Sequence, residues 1–365
     1  MAKLSERAGY AAALAVGVAI IALTIALSDP VAVAARIAGA QPWLIALSCL
    51  LDFASIAFFA LAWTVTAMAL GVRVGVVDGF VASVLGLVAD KLVASASVSG
   101  ELVRLAYVKS RRSDVGYAEL LATLMVHRFL YNVAFVALLL IAISDLVSSG
   151  GLPHALVFVS ALAVLSTLAA SYLLVRPESL KGVARAAARY SEKLLARFYG
   201  GGGLDLASRA EGFIDSVASS VRRAWRRKGL MALAAALMLL QWVAGALELG
   251  ALFSSIGYSV NAWVLLVTFP LHCYLTALPV GIPAALGVTE AGTVALFVAF
   301  GVERSAAMAV TLLVRFVEVW FELALGAAVA VAAGVGQRER LLELARNWRV
   351  EARVLARGGG GRGKG

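Results

Sequence analysis

The sequence predicts an all-α polytopic membrane protein: about six full spans plus two re-entrant helical hairpins, arranged as an inverted repeat. Three observations predict it. Several apolar runs exceed the roughly 18 residues that mark a membrane span. Hydrophobic residues make up 62% of the chain and charged residues 15%, against roughly half and about 25% in soluble domains. The two halves also repeat an order of glycine, glutamate and arginine at similar spacing.

The elements follow from these patterns in order. Lys3 and Arg7 precede an apolar stretch over 10–27, longer than the roughly 7–15 residues of a signal-peptide core, so it reads as a retained first span. Further apolar segments fall near 43–70, 79–98, 119–143, 153–175, 229–253, 262–285 and 305–333, with a shorter piece at 291–300. The connector 176–228 carries twelve Lys/Arg against five Asp/Glu, and the tail from 334 carries eight against three. Positive segments favour the cytoplasmic side. Within the connector Lys181, Arg185, Arg189, Lys193 and Arg197 recur every four residues, which is one stripe of an amphipathic helix. The glycine run at 200–203 breaks it.

Loop charge then favours two hairpins over the plain alternative of eight full spans. If 79–98 crossed fully, the basic stretch 101–112 would face outside. A hairpin turning at Ser95-Ala-Ser97-Val-Ser99-Gly100 keeps it inside. A second hairpin, turning between Pro279 and Gly287 and dipping from the other side, keeps the basic tail inside. Small hydroxyl residues suit the first turn, and proline and glycine the second, because non-helical backbone at membrane depth needs polar partners. Both termini are expected in the cytoplasm and the protein in the cell membrane. Residues 1–335 form one transmembrane domain, with repeat one near 43–143, repeat two near 229–333, and a basic tail at 336–365.

The repeat has a sequence trace. Gly71-Val-Arg-Val74 resembles Gly257-Tyr-Ser-Val260. Glu101 follows the first glycine by thirty residues and Glu290 the second by thirty-three. Arg128-Phe129 and Arg315-Phe316 follow those glutamates by twenty-seven and twenty-five. Inverted repeats with broken helices recur in transporters.

Intramembrane charge usually marks a pathway or an internally paired site. Arg315, Glu318 and Glu322 share one helix face, as do Arg128 and Asn132, and Gln241, Gly245 and Glu248 form another stripe. The substrate-binding set is Ser97, Ser99, Gly100, Glu101, Arg104, Arg128, Gly287, Glu290, Arg315 and Glu318. Arg128 and Arg315 would take a lipid phosphate bidentately. Glu101 and Glu290 would balance the empty cavity, and the backbone N–H groups at 97–100 would offer a helix start to an anion. The structural alternative pairs Arg128 with Glu101 or Glu290 and Arg315 with Glu318. Asp52, Glu248, Asp90 and Lys91 read as internally paired groups, and Arg104, Lys109, Arg111 and Arg112 as contacts to headgroups at the surface. Cys49, Cys273, His127, His154 and His272 read as packed residues, and no metal, cofactor or catalytic group is expected.

"SGELVRLAYVKSRR" followed by "HRF", and "LPVGIPAALGVTEAG" followed by "VRF", resemble the two signatures of the lysylphosphatidylglycerol synthase transmembrane-region family. Two positions depart from that pattern: a proline expected before Gly100 is absent, and Thr289 stands where arginine is frequent. The resemblance implies a flippase-like, lipid-handling membrane module without the soluble synthase domain. The expected function is translocation or binding of an anionic lipid, either an aminoacyl-phospholipid or a polyprenyl-phosphate-linked lipid. Two alternatives are a membrane-embedded transferase on a lipid phosphate and a scaffold for a lipid-modifying enzyme. The expected partners are membrane phospholipids or a lipid-linked substrate, and no nucleic acid.

Overall fold

The structure is a computed structural model that describes residues 15–93, 97–148, 154–199, 206–277 and 282–334. Among them it is all-helical. The helices in order are α1 (Ala15–Ala26), α2 (Pro30–Ala38), α3 (Pro42–Leu70), α4 (Val76–Leu92), α5 (Val98–Arg111), α6 (Tyr117–Ser148) and α7 (His154–Val175). They continue with α8 (Lys181–Tyr199), α9 (Leu206–Ala224), α10 (Lys228–Ser255), α11 (Ala262–Thr276), α12 (Val288–Ala299), α13 (Arg304–Arg315) and α14 (Glu322–Ala332). A π-helical stretch, Phe316–Phe321, joins α13 to α14. The expected tail at 336–365, the glycine run at 200–203 and parts of both expected turns (94–96 and 278–281) lie outside the described residues.

Four described helices are long and apolar enough to cross a bilayer: α3, α6, α7 from Leu156, and α10. The α1–α2 pair passes the same test together but bends by 89° between its halves. Asp29, in a left-handed conformation, caps α2 at that bend by accepting from Ala32 N, and Pro30 starts the new helix. The first span read from the sequence over 10–27 is seen from Ala15 as α1, and α2 follows it at the bend, where the sequence reading placed a loop. The apolar segment 79–98 is helical in α4 as far as Leu92, with α5 starting at its last residue, Val98, and the α11 helix within 262–285 ends at Thr276.

The molecule is built on α3 and α10, which pack antiparallel along their length. Gln41 N donates to Ser255 O at 2.8 Å, Ser48 Oγ to Glu248 O at 2.9 Å and Ser55 Oγ to Gln241 O at 3.3 Å. Each step of seven residues forward on α3 is seven back on α10, the period of two helices that wind about one another. Lipid offers apolar side chains as good a home as protein does. Helix association in a bilayer therefore rests on close packing and on hydrogen bonds of roughly 0.6 kcal/mol each. Ala60, Ala62 and Ala67 on α3 and Ala234, Ala244 and Ala251 on α10 are buried, and small side chains let helix backbones approach closely. Large apolar residues point outward instead: Trp43, Leu50, Phe158, Leu165 and Trp320 are exposed, as expected of a lipid-facing surface.

Both central helices end in the same way. Gly71 and Gly257 adopt φ of 84° and 70°, the left-handed conformation that glycine tolerates best. Gly71 N donates to Met68 O and Val72 N to Ala67 O; Gly257 N donates to Ser254 O and Tyr258 N to Phe253 O. Both are Schellman caps, so the matching glycines of the sequence share a local geometry. Each cap leads into a pair of shorter helices, α4 with α5 and α11 with α12.

The connector is helical on both sides of its glycine run, as the charge stripe predicts, but the stripe is not wholly free. Lys181 pairs with Asp215 on α9 at 2.5 Å, and Arg185 pairs with Glu211. The Arg185 hydrogen bond holds the Glu211 carboxyl below its usual range. The α8–α9 hairpin is thus closed by its own ion pairs.

Between α4 and α5 the approach is tightest at Gly100. A Cβ there would lie 2.3 Å from Asp90 Oδ2 and 2.7 Å from the Gly86 carbonyl oxygen. Gly100→Val is expected to lower stability by about 1–3 kcal/mol through overpacking, seen as a lower Tm in detergent. Gly182→Ala, with nothing within 4 Å of the added methyl, serves as control. Equal melting of both variants and the parent would contradict this packing.

Candidate functional site

A cavity of about 710 Å³ lies at the centre of the helices, with walls from α3, α4, α5, α6, α7, α10, α11, the 282–285 turn and the α13–α14 run. Of the ten residues expected from sequence, Ser97, Gly100, Glu101, Arg104, Arg128, Arg315 and Glu318 line it. Ser99, Gly287 and Glu290 stand behind that wall and hold it in shape.

The second half shows why Glu290 is where it is. Glu290 is 1% exposed, and an ionised carboxylate so placed needs a cation. Arg315 supplies it from the end of α13, with Nε 2.7 Å from Oε1 and a terminal nitrogen 3.1 Å from Oε2. The same Arg315 nitrogen donates to Ala284 O at 3.1 Å. Glu290 Oε2 also accepts from Gly287 N at 2.6 Å, capping its own helix. Ala284 and Ala285 have φ of 52° and 46°, a conformation that costs non-glycine residues roughly 1–3 kcal/mol each. The ion pair therefore fastens a strained turn. Arg315 pairs with Glu290 and not with Glu318, in contrast to the structural alternative considered from sequence. The π stretch carries Glu318 elsewhere, to accept from His272 Nε2 at 2.9 Å, and the other ring nitrogen of His272 meets Thr293 Oγ1 at 2.7 Å.

In the first half the corresponding groups have other partners. Ser97 is left-handed, with φ 66°, and α5 starts after it. The backbone N–H of Gly100 donates to Asp90 Oδ1 at 2.7 Å, and Ser99 Oγ donates to the same oxygen at 2.8 Å. A carboxylate from α4 thus occupies the helix start that the sequence reading offered to a ligand anion. Glu101 bonds Arg104 at 3.0 Å. Arg104 is not at the surface as expected: it is 2% exposed. Its guanidinium stacks 4.1 Å from the Trp63 ring centroid and 5.0 Å from that of Phe59, cation–π contacts that strengthen when desolvated. Lys109, Arg111 and Arg112 bind backbone carbonyls of Ser113, Val115, Ala333 and Arg73.

Arg128 differs from its counterpart. It lines the cavity, and its guanidinium sits 5.0 Å from the Tyr131 ring. It has no carboxylate or hydrogen-bond partner among the described residues. The two arginines matched by sequence spacing thus divide: Arg315 is engaged, and Arg128 faces the cavity without a counter-charge among the described residues.

A further polar group lies on the side of α3, α10 and α14. Lys91 pairs with Glu322 at 3.2 Å, one of the internal pairings expected of it. Asp52 and Glu248 also line the cavity, yet Asp52 Oδ2 and Glu248 Oε1 have no hydrogen-bond partner, so the pairing expected of these two is absent. No three His, Cys, Asp or Glu among the described residues converge to hold a metal ion. Sequence reasoning missed His272, Tyr131, Trp242 and Tyr274 as cavity or site-forming residues, since isolated aromatic residues in apolar helices carry no spacing signal.

Known proteins place this architecture. The model of the lysylphosphatidylglycerol synthase transmembrane region matches residues 10–326. The chain is 22% identical over 328 residues to a UPF0104 membrane protein of Methanothermobacter thermautotrophicus, covering 90% of this chain and 96% of the relative. It is 23% identical over 288 residues to UPF0104 membrane protein PH1989 of Pyrococcus horikoshii, covering 77% and 84%. With the family pattern running through nearly all of its helices, this integral membrane protein belongs to the lysylphosphatidylglycerol synthase transmembrane-region family.

Proposed function

We propose that the protein carries an anionic lipid headgroup across the cell membrane, through the central cavity, while the acyl chains stay in the bilayer. The observation that carries this reading is Arg128: a cavity-lining guanidinium with no carboxylate partner, beside the buried Arg104. A charged group in a bilayer is costly unless compensated, and a planar guanidinium suits a phosphate. An aminoacyl-phospholipid or a polyprenyl-phosphate-linked lipid both bring that phosphate.

On this reading α4–α5 and α11–α12 are re-entrant hairpins that dip from opposite faces. Their helices support it: at 1.5 Å per residue, α5, α11 and α12 are about 18–23 Å long, short of the ~30 Å hydrocarbon core. The antiparallel α3–α10 pair and the two identical caps are what an inverted repeat with its axis in the membrane plane would produce. The basic connector then lies in the cytoplasm, with both termini on that side. Glu290 and Arg315 hold one hairpin, Asp90 holds the other, and Arg128 and Arg104 receive the phosphate.

Two measurements test this. In phosphatidylcholine vesicles carrying purified protein and a trace of acyl-labelled fluorescent phosphatidylglycerol, Arg128→Ala is expected to abolish the protein-dependent exchange between leaflets. Its Tm should fall by less than the equivalent of about 1 kcal/mol, since only the Tyr131 contact is lost. Arg315→Ala, which leaves buried Glu290 uncompensated, should cost about 3–5 kcal/mol and lower the Tm sharply. Parental exchange rates in a well-folded Arg128→Ala protein would refute the assignment. For topology, single cysteines at Val98 and Ala285 should be labelled from opposite sides of the membrane; labelling of both from one side would exclude the opposed hairpins.

A further inference from the structure

The charges around the cavity do not balance. Six carboxyl residues line it, Asp52, Asp90, Glu101, Glu248, Glu318 and Glu322, against four cations, Lys91, Arg104, Arg128 and Arg315. Fully ionised, such a wall repels the anion that its arginines would attract. The local pairings show where the excess lies. Glu101 has Arg104, Glu322 has Lys91, Glu318 has His272, and Asp90 caps the start of α5. Asp52 and Glu248 are left.

These two sit across the α3–α10 interface, 5% and 2% exposed, and each has a carboxyl oxygen without a hydrogen-bond partner. A third group points the same way. Gln241, one helical face along from Glu248 and 7% exposed, lines the cavity with its Oε1 also unpartnered. Leaving a buried polar atom unsatisfied costs roughly 1–3 kcal/mol, and an unpaired charge costs more. Of the unpartnered oxygens on the wall, Glu322 Oε2 lies 3.2 Å from Lys91 Nζ, whereas Asp52 and Glu248 have no cation, and a proton removes the charge that makes their burial costly.

The charged and titratable neighbours of the pair come from every helix around it. They are Cys49 on α3, Lys91 on α4, Cys273 on α11, Glu318 in the π stretch and Glu322 on α14. The one cation among them, Lys91, is already held by Glu322. Because no three His, Cys, Asp or Glu among the described residues converge on a metal position, a proton, which needs a single oxygen, fits this group best.

We propose that Asp52 and Glu248 form an intramembrane proton site that is loaded together with the anionic headgroup, making passage of the lipid proton-coupled. Each carboxylate takes a proton from water on one side of the membrane, forming an O–H bond, and returns it to water on the other side when the headgroup leaves. With both protonated, the two carboxyls of the wall that have no partner of their own carry no charge, and the cavity admits a phosphate at Arg128. By linkage, a bound anion must in turn strengthen proton binding. The coupling half of this proposal rests on the lipid-translocation reading above; the proton site does not.

The test has two arms. Infrared difference spectra of the membrane-reconstituted protein at neutral pH should show carbonyl stretches of protonated carboxylic acids, one lost in D52N and one in E248Q, both isosteric substitutions chosen to preserve folding. Absence of any such band, or its persistence in the D52N/E248Q double variant, would overturn the proton site. In the vesicle assay, an imposed pH difference should shift the steady-state leaflet ratio of the labelled lipid by up to about tenfold per pH unit and coupled proton. D52N/E248Q should remove that response. A response that survives in the double variant, or that follows a sodium gradient instead, would overturn the coupling. If the parent protein moves no lipid at all, the lipid reading falls, while the infrared bands still decide the proton site.

Discussion

The salt bridge between Arg315 and Glu290 is the constraint on which the remainder of the site depends. In one contact it joins the start of α12, the left-handed turn at Ala284 and Ala285, and the point where α13 gives way to π-helix. None of these is stable alone in apolar surroundings. The turn exposes carbonyl oxygens, the helix start exposes N–H groups, and the glutamate carries a charge. Two carboxylate oxygens and a guanidinium fork satisfy all three at once. The register of the long helix that follows is then set, and with it the approach of Glu318 to His272 and of Glu322 to Lys91.

The two halves solve the same problem with different residues, and the difference matters for function. In the second half the carboxylate that caps the short helix comes from that helix, and it consumes the arginine of the next long helix. In the first half Asp90 reaches across from the preceding helix to cap α5. Glu101 is thereby freed to steady Arg104, and Arg128 is left without an acid. A perfectly symmetric molecule would have neutralised both arginines and built two locks. The difference between the halves leaves one lock and one cavity-lining guanidinium without an acid, the arrangement the proposed anion site uses.

Much of this was legible in the chain, and its limits have physical causes. The matched glycines could be read because a helix that ends in a left-handed turn strongly selects glycine, and Gly71 and Gly257 do adopt that conformation. Glu290 and Arg315 could be singled out because charge is rare at such depth, although their mutual pairing across 25 residues was hidden: helix-face arithmetic put Arg315 beside Glu318. That arithmetic assumes 3.6 residues per turn, and the π stretch breaks the assumption at Phe316. Arg104 looked like a surface residue because it opens a basic run. Its burial depends on Trp63 and Phe59, some forty residues earlier, and no local pattern announces a cation stacked between distant rings. A break was expected over Ser95–Gly100 and the helix restarts within it, at Val98, whereas the capping of Gly100 by Asp90 was not visible, since a lone acid in an apolar helix looks the same whether it pairs with a cation or with a backbone.

The proposed path also constrains the wall through which a lipid must reach it. A headgroup can cross a cavity with its chains still in the bilayer only if one side of that cavity opens laterally. Helix α7 is the element whose chemistry suits such a side. Thr167, Ala170, Leu173 and Leu174 face the cavity, while Phe158, Leu165 and Tyr172 on other faces are exposed. Among the described residues its side-chain ties to neighbouring long helices are two hydroxyl contacts, Ser166 to Tyr274 on α11 and Asn132 on α6 to Ser171, both at 3.1 Å, whereas α3 and α10 are joined repeatedly along their length. Helices held by many small contacts form the frame, and a helix held by few can part from its neighbour at little cost. On the proposed path, a rigid central pair, a fastened turn and a less firmly tied outer helix would let the cavity open toward lipid without losing the geometry of its charges.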